Sequence, residues 1–226
     1  MGIKRRSISA LVPVAVATAI GIWLYLGNDG PTPRLPVYQP ADINPDYVHQ
    51  DLRHIQANHT IGDFSLVDQN GDTIGLDDFQ GKIFITDFFF TRCPSICPVM
   101  SRNMEKLQSR FREESMLKLL SISVTPEYDS IPVLESYANE YKAIKGKWHL
   151  CTGNKEHIYE LARKQFFAVT DEGDGLMQDF IHSPNFILVD TEKRIRGIYD
   201  GTKDEELDRI ISDIENLLND TPSPSD

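Results

Sequence analysis

The sequence predicts an α/β domain built on a central mixed β-sheet flanked by helices. Three observations carry that prediction. Apolar, β-rich runs at 82–90, 117–124 and 185–190 read as buried strands. Amphipathic helical patterns fall between and after them. Two adjacent strands near the C-terminus precede a last helix, an order that needs antiparallel neighbours in an otherwise parallel core.

Taken in chain order, FSLVDQNGDTIGL at 64–76 reads as two short strands joined at Gln69-Asn70-Gly71-Asp72, where Asn-Gly is a strong hairpin signal. KIFITDFFF at 82–90 is the central strand. Cys97, Met100, Met104, Leu107 and Phe111 then recur at spacings of three and four, one face of a helix. LKLLSISV at 117–124 is a second buried strand, and 130–144 is a helix with Ser130 as cap and Pro132 in its first turn. WHLCTG at 148–153 is a short strand leading to a helix at 155–165. NFILVD, the turn EKR and IRGIYD form the late pair, and a helix covers 204–218.

The ends of the chain read differently. Residues 1–7 carry Lys4, Arg5 and Arg6, and the run Ile8 to Leu26 has no charge over roughly 19 residues, enough for a bilayer span. Positive residues before the span hold the N-terminus in the cytoplasm, with Trp23 and Tyr25 near the far interface. The reading is a transmembrane anchor helix at 8–27. Ala17-Thr18-Ala19 offers a cleavage-site alternative, but the apolar run continues beyond a usual signal core. With no room for an Arg- and Ser-rich transit lead, the expected address is the inner (cytoplasmic) membrane of a bacterium, single-pass, with the C-terminal domain on the periplasmic face. Residues 28–51, with six prolines and glycines from Gly30 to Pro45, read as a Pro-rich tether. The folded domain is expected at 52–219, and 220–226 as a disordered tail.

Beyond residue 27 the chain carries 20 basic against 34 acidic residues. That balance repels phosphate backbones and argues against a nucleic-acid partner. Three cysteines exclude a disulfide-rich scaffold.

Two of those cysteines, Cys93 and Cys97, lie in TRCPSICPVM, each followed by a proline. A structural disulfide, a redox dithiol and a metal site all fit such a pair. A disulfide here closes a very short loop and contributes little by chain entropy. Three intervening residues place the sulfurs about a turn apart at a helix start, where both can face one ion. Strand, cysteine pair, helix, then proline-strand-turn-strand-helix resembles the thioredoxin-like order. In that fold the cysteines sit at a helix N-terminus, whose dipole favours thiolate, and the late proline faces them across the sheet top. That proline is Pro184. His182, two residues before it, is then the candidate third ligand. His49, His54 and His59 lie in or beside the tether, His149 in an apolar strand and His157 in a polar helix. Two thiolates and one imidazole suit Cu(I), or Cu(II) with an added oxygen ligand, whereas structural zinc normally takes four protein ligands.

FFFTRCPSICPVMSRNM resembles the signature of the Sco (SenC) family, membrane-anchored, thioredoxin-fold copper chaperones for cytochrome c oxidase. GKIFITDFFF, SISVTPEYD, VLESYANEY, WHLCTG and HSPNFILVD agree with it, over about 62–218. The resemblance implies copper bound by Cys93, Cys97 and His182, and delivery to a copper-accepting oxidase subunit with a dinuclear copper centre. Two positions depart from the family pattern. Thr125-Pro126 stands where Asp-Pro is usual, and Cys151 where an aliphatic residue is more common. Cys151 reads as a small buried apolar residue, and Met100 and Met104 as core. Met177, in the loop before His182, is a weaker candidate for closing over the metal. Asp179 is a candidate partner for the free ring nitrogen of His182. The enzyme alternative is a thiol-disulfide oxidoreductase that keeps the acceptor cysteines reduced. A peroxide-reducing role has only Thr91 and Arg92 beside a cysteine in its favour.

Overall fold

The run Ile83–Phe89 shows how this sequence makes a sheet with two packed faces. All seven residues are buried. Ile83, Ile85 and Phe89 enter one apolar core, while Phe84 and Phe88 enter the other, as the two-residue period of a strand requires. The computed structural model describes residues 34–168 and 183–220.

Among the described residues seven strands form one sheet: β1 (Ser65–Asp68), β2 (Thr73–Gly75), β3 (Ile83–Phe89), β4 (Leu117–Ser123), β5 (Trp148–Thr152), β6 (Asn185–Val189) and β7 (Ile195–Asp200). Their order is β2-β1-β5-β4-β3-β6-β7. The three central strands β5, β4 and β3 are parallel, and both flanks are antiparallel. The mixed sheet is therefore as predicted. The hairpin turn closes at Gly71, whose φ of 82° an L-residue adopts with strain. Asp68 steadies that turn by accepting from the backbone N–H groups of Asn70 and Asp72.

Helices α1 (Cys97–Arg110), α2 (Ile131–Glu140) and α4 (Asp204–Asp220) supply one face. Met100, Met104, Leu107, Leu134, Ile210 and Ile214 pack there against Ile85, Phe89, Trp148 and Phe186. The opposite face is covered by α3 (Lys155–Glu160), which runs on into a π-helical turn, Leu161–Gln165. Helix α2 stops four residues before the predicted end. Lys142 takes a φ of 54°, and the Ala143 N–H reaches back to the Ala138 carbonyl at 2.8 Å, closing the helix.

The larger departure lies before the domain. Much of the stretch predicted as tether is docked on the second face. From Leu35 onward the chain belongs to the same compact unit as the sheet. The Tyr38 N–H donates to the Ile195 carbonyl at 2.9 Å. Arg196 donates to the carbonyls of Leu35 and Pro36 and to Asp190. Val48 and Ile43 are buried in that core. Prolines bar this segment from long helices and ladders but not from packing, and Pro40 and Pro45 each open a short 3-10 turn.

The expected cytoplasmic N-terminus 1–7, anchor 8–27 and tail residues 221–226 lie outside the described residues. Among the described residues no helix is long and apolar enough to cross a membrane.

Candidate metal centre

β3 ends at Phe89, and its chain enters an irregular connection that carries Cys93 before α1 starts at Cys97. The connection emerges at the C-terminal edge of the parallel strands, where α/β sheets gather their functional groups. Pro98 in the first turn of α1 lacks only an N–H that has no partner in a helix anyway. Cys93 is therefore in the loop and Cys97 in the first turn, rather than both on the helix.

The two thiols are close and unequal. Both are unbridged and buried. The Cys97 N–H, at the positive end of α1, points at the Cys93 sulfur at 3.5 Å. Ser95 Oγ lies 3.7 Å from the same sulfur. Burial pushes the Cys93 thiol up, but these donors outweigh it and hold its pKa below the ordinary thiol value. Cys97 goes the other way. Burial raises its pKa well above the usual range, and the negative potential of Cys93 and Asp87 adds to that. The lowering predicted for the pair is thus found at Cys93 and not at Cys97, which is buried in the same core as Met100.

Beneath the pair is a buried polar chain. Asp87, in the middle of β3, accepts from Ser121 Oγ at 2.5 Å, and Ser121 Oγ accepts from Trp148 Nε1 at 2.9 Å. Burial raises the Asp87 carboxyl to about 7. Tyr137, whose hydroxyl lies 2.8 Å from Ser101 Oγ, stacks near Phe89.

Beside the pair is a second carboxylate. Asp129 is fully buried and accepts from the Thr91 hydroxyl and N–H, from Ser123 Oγ and from Thr125 Oγ1. Thr125, the position where the family pattern has Asp, supplies a hydroxyl to this cluster. Arg92 lies over the Tyr128 ring at 4.3 Å. Thr91 and Arg92, the two residues behind a peroxide-reducing reading, are engaged with Asp129 and Tyr128. Sequence reading missed Asp87 and Asp129. The signal for Asp87 was present, an acid inside the apolar run IFITDFF; an acid in a loop such as Asp129 carries no periodicity to flag it.

His182, Met177 and Asp179 lie outside the described residues. Pro184 is described, and its carbonyl accepts from the Gly201 N–H at 2.6 Å. Next to it, Ser183 Oγ donates to the Ala168 carbonyl at 2.5 Å. β6 runs antiparallel to β3 with Thr86 opposite Ile187. Residue Asn185 therefore begins β6 at the end of the sheet where β3 delivers the cysteine loop. The remaining histidines stand elsewhere. His149 is buried with Nδ1 3.0 Å from Asp68 Oδ2, His59 lies 2.9 Å from the Gln165 carbonyl, and His157 Nε2 accepts from the Ser65 N–H. His49 and His54 lie in the N-terminal segment. Among the described residues no three His, Cys, Asp or Glu side chains gather into a metal-sized group. Met100 and Met104 are fully buried core residues, as predicted, and so is Cys151. Cys151 packs into the core on the face of the sheet opposite Cys93 and Cys97.

Comparisons with known proteins give the same frame. The SCO1/SenC family profile matches residues 53–219. The SCO1 protein homolog of Bacillus subtilis (strain 168) is 32% identical over 160 residues, covering 70% of this chain and 82% of that protein. The solved structure of BsSco is described as having a disulfide switch and as belonging to the Sco family of cytochrome c oxidase assembly proteins. It matches with a TM-score of 0.61 at 31% identity, covering 71% of this chain and 94% of its own. The Arabidopsis thaliana ScoI structure with copper bound matches with a TM-score of 0.57 at 25% identity, covering 71% of this chain and 99% of its own. The profile spans more than half of the chain, so this protein belongs to the SCO1/SenC family.

Proposed function

We propose that this protein is a membrane-anchored, thioredoxin-like copper chaperone on the outer face of a bacterial inner membrane. It holds copper at Cys93, Cys97 and His182 and passes it to the dinuclear copper centre of cytochrome c oxidase. The observation that carries this reading is the Cys93–Cys97 pair itself: two unbridged, soft donors, one pointing its backbone N–H at the sulfur of the other at 3.5 Å. Support comes from β6, which Asn185 begins at the cysteine end of the sheet, with Pro184 directly before it. A copper-bound relative and a relative named for oxidase assembly point the same way. Copper here is cargo, so a set of three ligands that leaves room for an acceptor's thiolates suits the task.

The test is a copper titration of the reduced full chain in detergent, with His182→Ala alongside. One tight equivalent in the wild type, sharply weakened in the variant, is the expected result. Equal binding by both proteins would remove His182 from the site. Asp179→Asn with wild-type affinity and spectrum would likewise remove Asp179 as its partner.

The inequality of the thiols favours a second activity of the same residues, thiol-disulfide exchange with the acceptor. Cys93, the more acidic thiol, would attack an acceptor disulfide and form a mixed disulfide. Cys97 would then give up its proton and displace the acceptor's second sulfur, leaving the acceptor reduced and the pair oxidised. Efficient reduction of a disulfide substrate by His182→Ala would separate this activity from copper delivery.

A further inference from the structure

Two loops meet at the C-terminal edge of β3 and β4. One, 90–96, carries Cys93; the other, 124–130, carries Asp129. Asp129 is fixed by its own loop and by the last residue of β4. Its N–H donates to the Thr125 carbonyl at 3.0 Å, and its Oδ2 accepts from Ser123 Oγ at 2.5 Å and Thr125 Oγ1 at 2.9 Å. Its remaining capacity goes to the cysteine loop. Oδ1 accepts from Thr91 Oγ1 at 2.5 Å, and Oδ2 also takes the Thr91 N–H at 3.2 Å. The next residue, Arg92, lies over Tyr128, the residue before Asp129. Residues 91 and 92 thus each grip the neighbouring loop immediately before the chain reaches Cys93.

We propose that Asp129 is a positioning residue for the Cys93 thiol. It clamps the entry to the cysteine loop so that the Cys93 sulfur keeps its place over the start of α1. This inference rests on reading Cys93 and Cys97 as the working thiols, but the clamp acts on the reduced, metal-free protein as well. An irregular loop, even with Pro94 in it, can place a sulfur in many positions, and an ion or an attacked disulfide tolerates few of them. A buried carboxylate suits the task better than an amide. All four of its hydrogen bonds come from donors, whereas an asparagine would turn its own NH2 toward some of them.

The test uses the reduced full chain in detergent with three variants: Asp129→Asn, Thr91→Val and Ser123→Ala. Thr91→Val and Ser123→Ala each delete one hydroxyl from the same carboxylate, but only Thr91 belongs to the cysteine loop. The readouts are the rate of Cys93 alkylation by iodoacetamide, followed by peptide mass spectrometry, the copper affinity and thiolate-to-copper absorption, and thermal unfolding. Asp129→Asn and Thr91→Val should speed Cys93 alkylation about tenfold, the size of one lost buried hydrogen bond. Both should weaken copper by about 10-fold or more and change its absorption. Ser123→Ala should lower the melting temperature about as much as Thr91→Val while keeping the wild-type alkylation rate and copper spectrum. Equal effects of Thr91→Val and Ser123→Ala on Cys93 would overturn the proposal in favour of a role in stability alone, as would a wild-type Cys93 in Asp129→Asn. Should Asp129→Asn fail to fold, the Thr91 and Ser123 pair decides the matter. Should the wild type bind no copper, the copper reading fails, and alkylation still decides whether the clamp exists.

Discussion

The Ser121 hydroxyl donates to the Asp87 carboxyl at 2.5 Å inside the sheet, on the side of the cysteine pair. Burial raises this carboxyl to about 7, and the bond from Ser121 offsets only part of that rise. The folded protein therefore holds the Asp87 proton more tightly than the unfolded chain does. Its contribution to stability is complete below the ordinary carboxylate value and is lost as pH rises through about 7. Between about pH 5 and about pH 8, Asp87→Asn should flatten the decline in stability of the reduced, metal-free protein, by a few kcal/mol at most. Denaturant unfolding at several pH values checks this. Parallel curves for the two proteins would mean that Asp87 does not titrate in this range.

The methionines behind the cysteine loop give a second expectation. Met104 is fully buried among Leu107, Leu134 and their neighbours. Met104→Ala should cost about 2–5 kcal/mol of stability through the cavity it leaves. Copper stoichiometry, measured below the lowered melting point, should stay at the wild-type value. A loss of the copper equivalent without loss of fold would instead make Met104 part of the site.

A third expectation concerns the docked N-terminal segment. The Arg196 guanidinium donates to the Leu35 carbonyl at 2.6 Å, to the Pro36 carbonyl at 2.9 Å and to Asp190 Oδ2 at 2.8 Å. Arg196→Ala removes this donor from the Leu35 and Pro36 carbonyls, while Asp190 keeps Arg194. The cost should be about 1–3 kcal/mol, with faster amide exchange at Tyr38, whose N–H bonds to Ile195. Unchanged exchange at Tyr38 would show that the segment holds by its apolar contacts, chiefly Val48 and Ile43.

Much of this architecture was legible in the chain. Periodicity located the buried strands and the Cys97–Leu107 stripe, because burying one face leaves a regular trace. The hairpin was readable from Asn70-Gly71. The cysteine loop was readable because thiols at a strand-to-helix junction have few uses. What escaped has no such trace. Residues 35–51 looked like a tether because their prolines rule out regular elements, yet packing needs only an occasional Val48 or Ile43. Asp129 escaped because its role depends on a loop roughly forty residues away along the chain, Thr91 being separated from it by 38 positions. The early end of α2 at Glu140 was hidden too, since nothing marks Lys142 as a left-handed residue in advance.

The placement of Cys151 has a consequence for oxidation. Three thiols allow three possible intramolecular pairings. The sheet stands between Cys151 and the other two, its side chain sealed in one core and theirs in the other. Burial also keeps the Cys151 thiol protonated, far from the thiolate that disulfide exchange requires. Once folded, the chain has a single intramolecular disulfide open to it, between Cys93 and Cys97. Two of the three conceivable isomers are removed by topology, so oxidation and reduction can cycle without scrambling.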